Sequence, residues 1–458
     1  MKNSYSDHRL QYMFHKFINT QSDWRNELNG IYLCGSKVIH QQGVSPAVFV
    51  LANEETSLYF GNAYCHSAWS CPHCTPRVMA KKARNVACAI DALHTWYKQD
   101  ACMITFTMPH TKNMSAKDTF QILLSAWRHF CKNGKGRVQN YTLRTDKEND
   151  KRGVGKKGET RQYIKGVNAW CKARELGMTY SVKVYEFTWG EENGFHPHIH
   201  GLFWLPKKNF QKIGELESSL YDFWWECLKR AAFKYYKNKH PEKSAKEHQE
   251  ITDNLFTDWR KKGNSALLIS RNEDNSVRVI TSSMYLDDWG GDAELTKYYG
   301  KEAHEGHYTP FQLITHAYES EGEERLKFLR IYTEYALATR KHRRMEFGKP
   351  RNKDIPTLND IIKKWKETQT YVERCKKKAM EKATDFRVVC WFTEKQWSQI
   401  CFLTHRYDVD LRSLILELAR LPDGKRKIQE LLFENAIDIS QNSPHRLENL
   451  VEGIFNVA

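Results

Sequence analysis

The sequence predicts an α+β fold with a central antiparallel sheet flanked by helices, and the clearest evidence for the sheet is a hairpin pattern. Residues 180–189 alternate and are rich in β-branched and aromatic side chains, a turn with two glycines follows, and a second extended arm covers 196–205. A short apolar run at 101–109 ends in proline, as a buried strand often does. Residues 116–131 and 213–232 carry apolar side chains at helical spacing and predict covering helices.

Length and charge limit the functions to consider. At 458 residues the chain is long enough for two or three domains, and 40% hydrophobic residues predict a globular protein. No apolar run approaches the ~20 residues of a membrane span, and the first residues lack a signal-peptide core. We therefore expect a cytoplasmic protein with reduced cysteines and no membrane partner. The formal charge of +16, with 14 Trp, 22 Tyr and 22 Phe, favours an anionic partner that can stack, namely nucleic acid.

The first candidate site lies between Cys34 and Cys74. Cys65, Cys71 and Cys74 follow at the spacing Cys-x5-Cys-x2-Cys, and Cys34 can supply a fourth thiolate. Four thiolates suit a tetrahedral structural Zn²⁺ site, which would contribute directly to folding of this region. Two alternatives stay open: a redox pair formed by Cys71 and Cys74, and replacement of one thiolate by His66 or His73.

Two basic segments follow the cysteines. Residues 76–90 predict a helix with a basic face. Residues 131–175 contain 13 Lys and Arg against 5 acidic residues, a net charge of +8, with weak periodicity. We interpret the segment at about 131–176 as a basic insertion that either grips a phosphate backbone or forms a solvated loop.

His198 and His200 form the second candidate site. Alternate residues of a strand point to the same face, so the two imidazoles project together while Ile199 points into apolar packing. Two imidazoles on a rigid strand suit a divalent metal ion. If the turn is centred near Glu192 or Asn193, Glu186 lies opposite the pair and supplies a third ligand, which leaves positions open for a substrate phosphate. The alternative is a histidine-rich strand edge without a metal.

A helix predicted to begin near Asp292 carries the third candidate group. Tyr298 lies four residues after Glu294 and three before Lys301, so the three side chains can share one helix face. A phenol with a pKa of about 10 is a poor nucleophile, and a nearby cation such as Lys301 helps it to ionise. Tyr298 could then attack a phosphodiester, and Glu294 could position or deprotonate a water molecule or bind the metal. The alternative is that Tyr298 and Tyr299 are core aromatics of an amphipathic helix.

Three ordered motifs resemble those of the HUH endonuclease superfamily. In chain order they are Phe106-Thr-Met-Pro, His196-Pro-His-Ile-His-Gly-Leu and Leu295-x-x-Tyr298-Tyr299-x-Lys301. The tyrosine follows the histidine motif, as in rolling-circle replication initiators and unlike conjugative relaxases. Over roughly residues 30–350 the chain is similar to bacterial plasmid replication proteins of the Rep family, which also carry the cysteine pattern and a pattern like Thr309-Pro-Phe-Gln-Leu.

The resemblance implies roles for individual residues. His198 and His200 match the ligands of a catalytic Mg²⁺ or Mn²⁺ ion, whose third ligand varies across the superfamily. Tyr298 matches the nicking nucleophile, with Tyr299 as the alternative. Glu294 stands where some members have a second tyrosine and resembles the glutamate with which other initiators activate water to end replication.

The function implied by the resemblance is initiation of plasmid rolling-circle replication in the bacterial cytoplasm. It comprises site- and strand-specific nicking of the origin, a 5′-phosphotyrosyl intermediate and later strand rejoining. The implied partners are origin DNA, as a single strand or an extruded hairpin, and the host helicase and replication machinery. Two other functions remain open: an HUH single-strand transposase with the same chemistry, and a non-enzymatic, zinc-stabilised DNA-binding regulator whose histidines are structural.

We expect three regions along the chain. Residues 1–100 hold the four-cysteine zinc site and the basic helix, residues 101–350 form the HUH nicking and joining domain with its insertion, and residues 351–458 form a helical region that binds the origin or a partner. A capping box at Thr393 and Gln396 predicts the start of one helix in the last region. A basic cluster near the end of the second region could bind DNA backbone or form a solvated helix end; it consists of Arg340, Lys341, Arg343 and Arg344.

Overall fold

The structure, a computed structural model, is α+β, as the sequence predicts. It describes residues 14, 17, 27–28, 31, 34–39, 47–52, 57–132, 137–142, 160–165, 169–261, 265–289, 307–348, 350, 354–368, 387–406 and 411–434. Across these ranges no helix is both long enough and apolar enough to cross a membrane.

The chain forms two compact units that are interleaved along the sequence. Unit 1 comprises Met1–Cys88, Tyr285–Arg344 and Asp360–Ala458, and unit 2 comprises Ala89–Met284 and Met345–Asn359. Because each unit draws on separate stretches, neither corresponds to one predicted region, and the boundaries near 100 and 350 stay a prediction.

The helices and strands follow one another in mixed order, as an α+β fold requires. Up to residue 175 they are β1 (Lys37–Val38), β2 (Ala47–Ala52), β3 (Ser57–Phe60), β4 (Asn62–Ala63), α1 (Cys74–Tyr97), β5 (Gln99–Phe106), α2 (Ala116–Lys132), β6 (Arg137–Thr142), β7 (Thr160–Lys165) and α3 (Ala169–Glu175). The rest are β8 (Tyr180–Gly190), β9 (Gly194–Pro206), a 3₁₀ turn (Lys207–Asn209), α4 (Lys212–Glu215), α5 (Glu217–Lys239), α6 (Ala245–Lys261), β10 (Leu267–Ile269), α7 (Ser282–Trp289), β11 (His307–Tyr308), α8 (Pro310–Glu319), α9 (Gly322–Thr339), β12 (Met345–Phe347), α10 (Leu358–Lys366), β13 (Arg387–Thr393), α11 (Glu394–Arg406), α12 (Leu411–Ala419) and α13 (Gly424–Glu434).

Unit 2 is built around the β8–β9 hairpin. Five of its strands pair antiparallel in the order β10, β5, β9, β8 and β12. The hairpin closes between Gly190 and Gly194. Gly194 has φ +72°, and a Cβ there would lie 3.0 Å from the Cα of Lys112, so glycine suits both the turn and the close approach. The predicted hairpin is thereby confirmed.

One face of this sheet is covered by α2 and α5. Phe106 on β5 packs edge-on against Trp127 of α2 and Trp224 of α5, at ring-centroid distances of 5.2 Å in both cases. Ile199, the register partner of Phe106, is fully buried. Since strand residues alternate in direction, this packing commits the neighbouring polar residues to the opposite face.

Unit 1 brings together strands and helices that are far apart in the sequence. β13 pairs with β2, which pairs with β3, and helices α11 to α13 share a hydrophobic core with these strands. The predicted capping box starts α11, since the Thr393 N–H donates to Gln396 Oε1 at 2.9 Å and the Gln396 N–H donates to Thr393 Oγ1 at 3.3 Å. The C-terminal region is therefore not purely helical, because the apolar run in β13 completes a sheet begun by N-terminal strands.

Candidate metal centres

The four predicted cysteines come together in unit 1. The Sγ atoms of Cys34 and Cys74 lie 3.5 Å apart and those of Cys34 and Cys71 3.6 Å apart, and all four Sγ atoms, Cys65 included, are within 4.8 Å of one another. A disulfide needs about 2.05 Å, whereas a tetrahedron with Zn–S arms of about 2.3 Å has S–S edges of about 3.8 Å. The four cysteines are therefore free thiols whose arrangement fits a four-cysteine metal site.

Backbone donors surround these thiolates. The backbone N–H groups of Cys65, Ser67 and Cys74 donate to the Sγ atoms of Cys34, Cys65 and Cys71, respectively, each over 3.4 Å. Cys74 is also the first residue of α1, where the helix dipole favours negative charge. Hydrogen bonds from the other three thiols lower the pKa of Cys34 far below its ordinary value. The hydrogen bond with Cys34 raises the pKa of Cys65, and burial raises that of Cys71. Without a cation the cluster therefore favours a single thiolate, and a bound metal ion would deprotonate the other thiols.

A buried arginine supplies an independent test of fit. Arg412 is 1% exposed, and its Nη1 lies 3.5 Å from where a Cβ on Gly35 would sit, directly after Cys34. Its Nε and Nη2 have no hydrogen-bond partner among the described residues. A buried cation needs compensating charge, and four thiolates around a divalent ion carry a net charge of −2. The four-cysteine cluster can provide that compensation.

The neighbouring histidines do not join the cluster. His73 is buried and stacks on Tyr64 with ring centroids 4.4 Å apart, and its Nε2 contacts Arg77. Burial, followed by the Arg77 charge, lowers the pKa of His73 to about 3, so its ring is neutral. His66 is exposed. The four-cysteine set is therefore favoured over one with a histidine ligand.

Helix α9 holds the loop that carries the cluster. The hydroxyls of Tyr332 and Tyr335 donate to the carbonyl oxygens of Ser70 and Trp69, at 2.5 Å and 2.9 Å. These bonds satisfy buried carbonyls of an irregular segment, so residues 310–344 and the cysteine loop fold as parts of the same unit.

The second cluster lies on the polar face of the unit 2 sheet. Glu186 is the register partner of His198, and His200 is two residues further along β9. Glu186 Oε2 lies 3.1 Å from His198 Nε2 and 3.2 Å from His200 Nε2. An octahedral ion with ligand distances of about 2.1 Å has ligand–ligand edges of about 3 Å. These three atoms could therefore hold one divalent cation, as the hairpin register predicts.

This cluster stays accessible to solvent. The side chains of His198 and His200 are each 15% exposed, and that of Glu186 is 29% exposed. Burial acts to raise the pKa of Glu186, but the His200 charge and the hydrogen bonds with both histidines outweigh it and hold that pKa well below 4.5. Glu186 is thus an anion, ready to act as a ligand.

Threonines on β5 and just after it orient the histidines. Thr105 is the register partner of His200, and its Oγ1 lies 3.0 Å from His200 Nδ1. When Nδ1–H donates to this hydroxyl, the Nε2 lone pair is available to an ion. Thr107 Oγ1 lies 2.5 Å from His196 Nε2, and His196 stacks on His110 at 4.5 Å. The sequence pattern does not single out Thr105, whereas Thr107 belongs to the Phe106-Thr-Met-Pro motif, in which it has no assigned role.

No protein-family model, curated protein or solved structure matches this chain. The fold and the clusters therefore rest on the geometry given above.

Some predicted residues lie outside the described ranges. These are the predicted helix from Asp292 with Glu294, Tyr298, Tyr299 and Lys301, and residues 133–136, 143–159 and 166–168 of the predicted basic insertion.

The predicted basic cluster is described and lies in unit 1. Lys341 and Arg343 are exposed, Arg344 is 2% exposed, and Arg340 forms an ion pair with Glu27. Arg340, Lys341, Arg343 and Arg344 all line one cavity beside the cysteine loop.

Proposed function

We propose that the protein is an HUH-type, tyrosine-dependent DNA nickase that initiates rolling-circle replication of a bacterial plasmid. The observation that carries the proposal is the convergence of Glu186 Oε2, His198 Nε2 and His200 Nε2 on an accessible strand face. Three ligands on a rigid hairpin leave coordination positions for a phosphate oxygen, which is the arrangement of an open, catalytic site.

A bound Mg²⁺ or Mn²⁺ ion would act as a Lewis acid on the scissile phosphate. Glu186, His198 and His200 would hold that ion, and Thr105 would keep the His200 ring in the required tautomer. Burial of Ile199 and Phe106 behind the face keeps the strands, and hence the ligands, fixed.

The chemistry assigned to the tyrosine motif is a transesterification. The Tyr298 phenolate forms a bond to phosphorus while the bond to the 3′ oxygen breaks, and that oxygen takes up a proton. The product is a 5′-phosphotyrosyl link and a free 3′ hydroxyl, and the reverse reaction rejoins a strand. Lys301 would stabilise the phenolate, and Glu294 would position the water that ends the cycle. These assignments are supported by the motif alone.

The test is a nicking assay on negatively supercoiled plasmid that carries the DNA flanking the gene, with Mn²⁺. We expect relaxed circles with protein attached to the new 5′ end. Tyr298→Phe should lower the rate on the order of 10⁴-fold or more, the scale of losing a covalent nucleophile, whereas Tyr299→Phe should remain active. Unchanged nicking by Tyr298→Phe would transfer the role to Tyr299 or to another residue.

The same assay separates the other functions. DNA binding without any nicking, in the presence of Mn²⁺, would support a zinc-stabilised regulator. Cleavage confined to the ends of a mobile element, with no activity on a plasmid origin, would support a transposase.

A further inference from the structure

A cavity of about 500 Å³ lies beside the cysteine cluster, within unit 1. Its walls are the Cys65–Trp69 loop, Lys82 of α1, residues 27, 28 and 31, and the 340–344 segment. Binding sites for small molecules measure about 300–1,000 Å³, so the cavity has room for one nucleotide.

The lining is strongly basic. It carries five cations, Lys82, Arg340, Lys341, Arg343 and Arg344, and one carboxylate, Glu27. The guanidinium of Arg340 is already engaged, because it donates to the carboxylate and to the backbone carbonyl of Glu27. Clefts lined by one sign of charge focus the field and concentrate counter-ions. The expected occupant is an anion.

Two of the cations are unengaged. Lys341 and Arg343 are exposed, and within the part of the chain that the structure describes they form no ion pair or hydrogen bond. Exposed, unneutralised cations at the mouth of a basic cavity are typical of phosphate recognition, where Arg offers a planar fork and Lys a point charge.

The inner wall is rigid. Trp69 is 3% exposed, its Nε1 donates to the His342 carbonyl at 2.6 Å, and its own carbonyl accepts from Tyr335 at 2.9 Å. The Arg344 guanidinium lies 5.8 Å from the Trp69 ring centroid and donates to the Ala68 carbonyl at 3.4 Å. A wall fixed before binding lowers the entropy lost on association.

The loop also carries backbone strain at the cavity. His66 has φ +50°, in the left-handed region that non-glycine residues rarely adopt. Its side chain is exposed and lines the cavity. Strained backbone of this kind concentrates at binding sites, and His66 adds a further donor at the mouth.

We propose that this cavity binds one nucleotide of a single-stranded nucleic acid, with the two phosphates that flank it held by Lys341 and Arg343. A strand fits better than a free nucleotide because the two unengaged cations are exposed, where adjoining phosphates can reach them. The choice of DNA as the strand rests on the proposed function. The prediction that the cavity binds a phosphate group rests on the charges of its lining alone.

The experiment measures binding of a short fluorescent oligothymidylate to the full chain by anisotropy, without added Mg²⁺ or Mn²⁺, over a range of salt. The variant is Lys341→Ala/Arg343→Ala. The matched control is Arg330→Ala/Lys425→Ala, which removes the same charge from exposed positions of unit 1 outside the lining. We expect the variant to bind at least about tenfold more weakly at low salt and its log–log salt slope to fall by about 1.4, at about 0.7 per phosphate contact. The control should match the wild type.

Equal behaviour of variant and control would overturn the proposal. Thymidine monophosphate and inorganic phosphate are titrated in parallel to distinguish a strand from a free anion. If either binds the wild type but not the variant while oligonucleotide binding is unchanged, the cavity takes a free anion and the assignment to a strand is wrong. Because no divalent ion is added, this result is independent of nicking, and failure of one proposal leaves the other intact.

Discussion

The two ligand clusters use different parts of the chain in different ways. The four-cysteine cluster gathers its ligands from a loop, a turn and a helix start spread over residues 34–74, and three of its four cysteines are buried. The Glu186–His198–His200 cluster takes its ligands from two paired strands, and each ligand keeps some solvent exposure. Four thiolate ligands saturate an ion, whereas three accessible ligands leave it open to substrate. Ligand number and exposure thus distinguish a cluster that suits a structural metal ion from one that would leave a bound ion open to solvent.

The largest expected effect is loss of the structural metal. In Cys71→Ser/Cys74→Ser we expect about one zinc per chain to disappear and unit 1 to lose its fixed tertiary structure, because structural zinc contributes about 10–16 kcal/mol in small zinc-dependent peptides. Plasma mass spectrometry and near-UV circular dichroism measure both quantities. The control, Cys131→Ser/Cys390→Ser, removes two thiols outside the cluster and should keep its zinc. Full zinc content in the first variant would show that the cluster is not a zinc site.

The second prediction concerns the open site. In His198→Asn/His200→Asn, Mn²⁺ affinity should fall more than about 100-fold because two of three ligands are lost, while zinc content stays the same. Titration followed by the electron paramagnetic resonance of free Mn²⁺ measures this. His94→Asn/His240→Asn changes two histidines elsewhere in unit 2 and serves as the control. Equal Mn²⁺ affinity in the two double variants would show that the ion does not bind at this face of the sheet.

A smaller effect on Mn²⁺ affinity is expected for Thr105, which contacts the candidate ligand His200. Thr105→Val keeps the side-chain shape but removes the partner of His200 Nδ1, so Mn²⁺ affinity should fall about 10–100-fold. Thr107→Val is the matched variant, since Thr107 contacts His196, which is not a ligand. Calorimetric titration compares them, and an equal loss in both would mean that sheet packing, and not ring orientation, sets the affinity.

The smallest effect is a shift in titration without metal. Burial raises the pKa of Glu186, but the two histidines lower it by more, so that it lies well below 4.5. Glu186 therefore contributes stability that is present above about pH 4.5 and is lost as pH falls through its folded pKa. In His200→Gln the pKa should rise, because the largest opposing effect, the His200 charge, is lost. That rise weakens the contribution near pH 4. Carboxyl ¹³C shifts report the titration, with His196→Gln as control; an unmoved Glu186 would show that His200 is not its main partner.

Local pattern was sufficient for the hairpin and for most ligands. A period of two puts His198 and His200 on one face and Ile199 on the other, and a short turn fixes Glu186 opposite them, so the register of the cluster follows from the chain itself. The spacing of Cys65, Cys71 and Cys74 similarly limits which ion the loop can hold.

Contacts between distant segments have no such local signal. The run from Val388 to Thr393 is typical of a strand, but no local pattern indicates that β13 pairs with β2, more than 300 residues earlier. The role of Arg412 as a buried cation near the cysteines depends on its position beside Gly35. The role of Thr105 depends on the strand register that places it opposite His200. These contacts depend on which distant surfaces pack together, and the periodicity of a single segment does not predict that packing.

The sequence by itself determined the α+β class, the hairpin and the members of the two candidate metal-binding clusters, because alternation, turn residues and cysteine spacing act over short stretches of the chain. Only the tertiary structure decided that residues 38–59 and 389–432 share one core, that threonines orient the histidines, and that residues 340–344 line a basic cavity beside the cysteine loop. Those features arise from burying apolar surface between remote segments, which fixes polar neighbours at distances that no local pattern specifies.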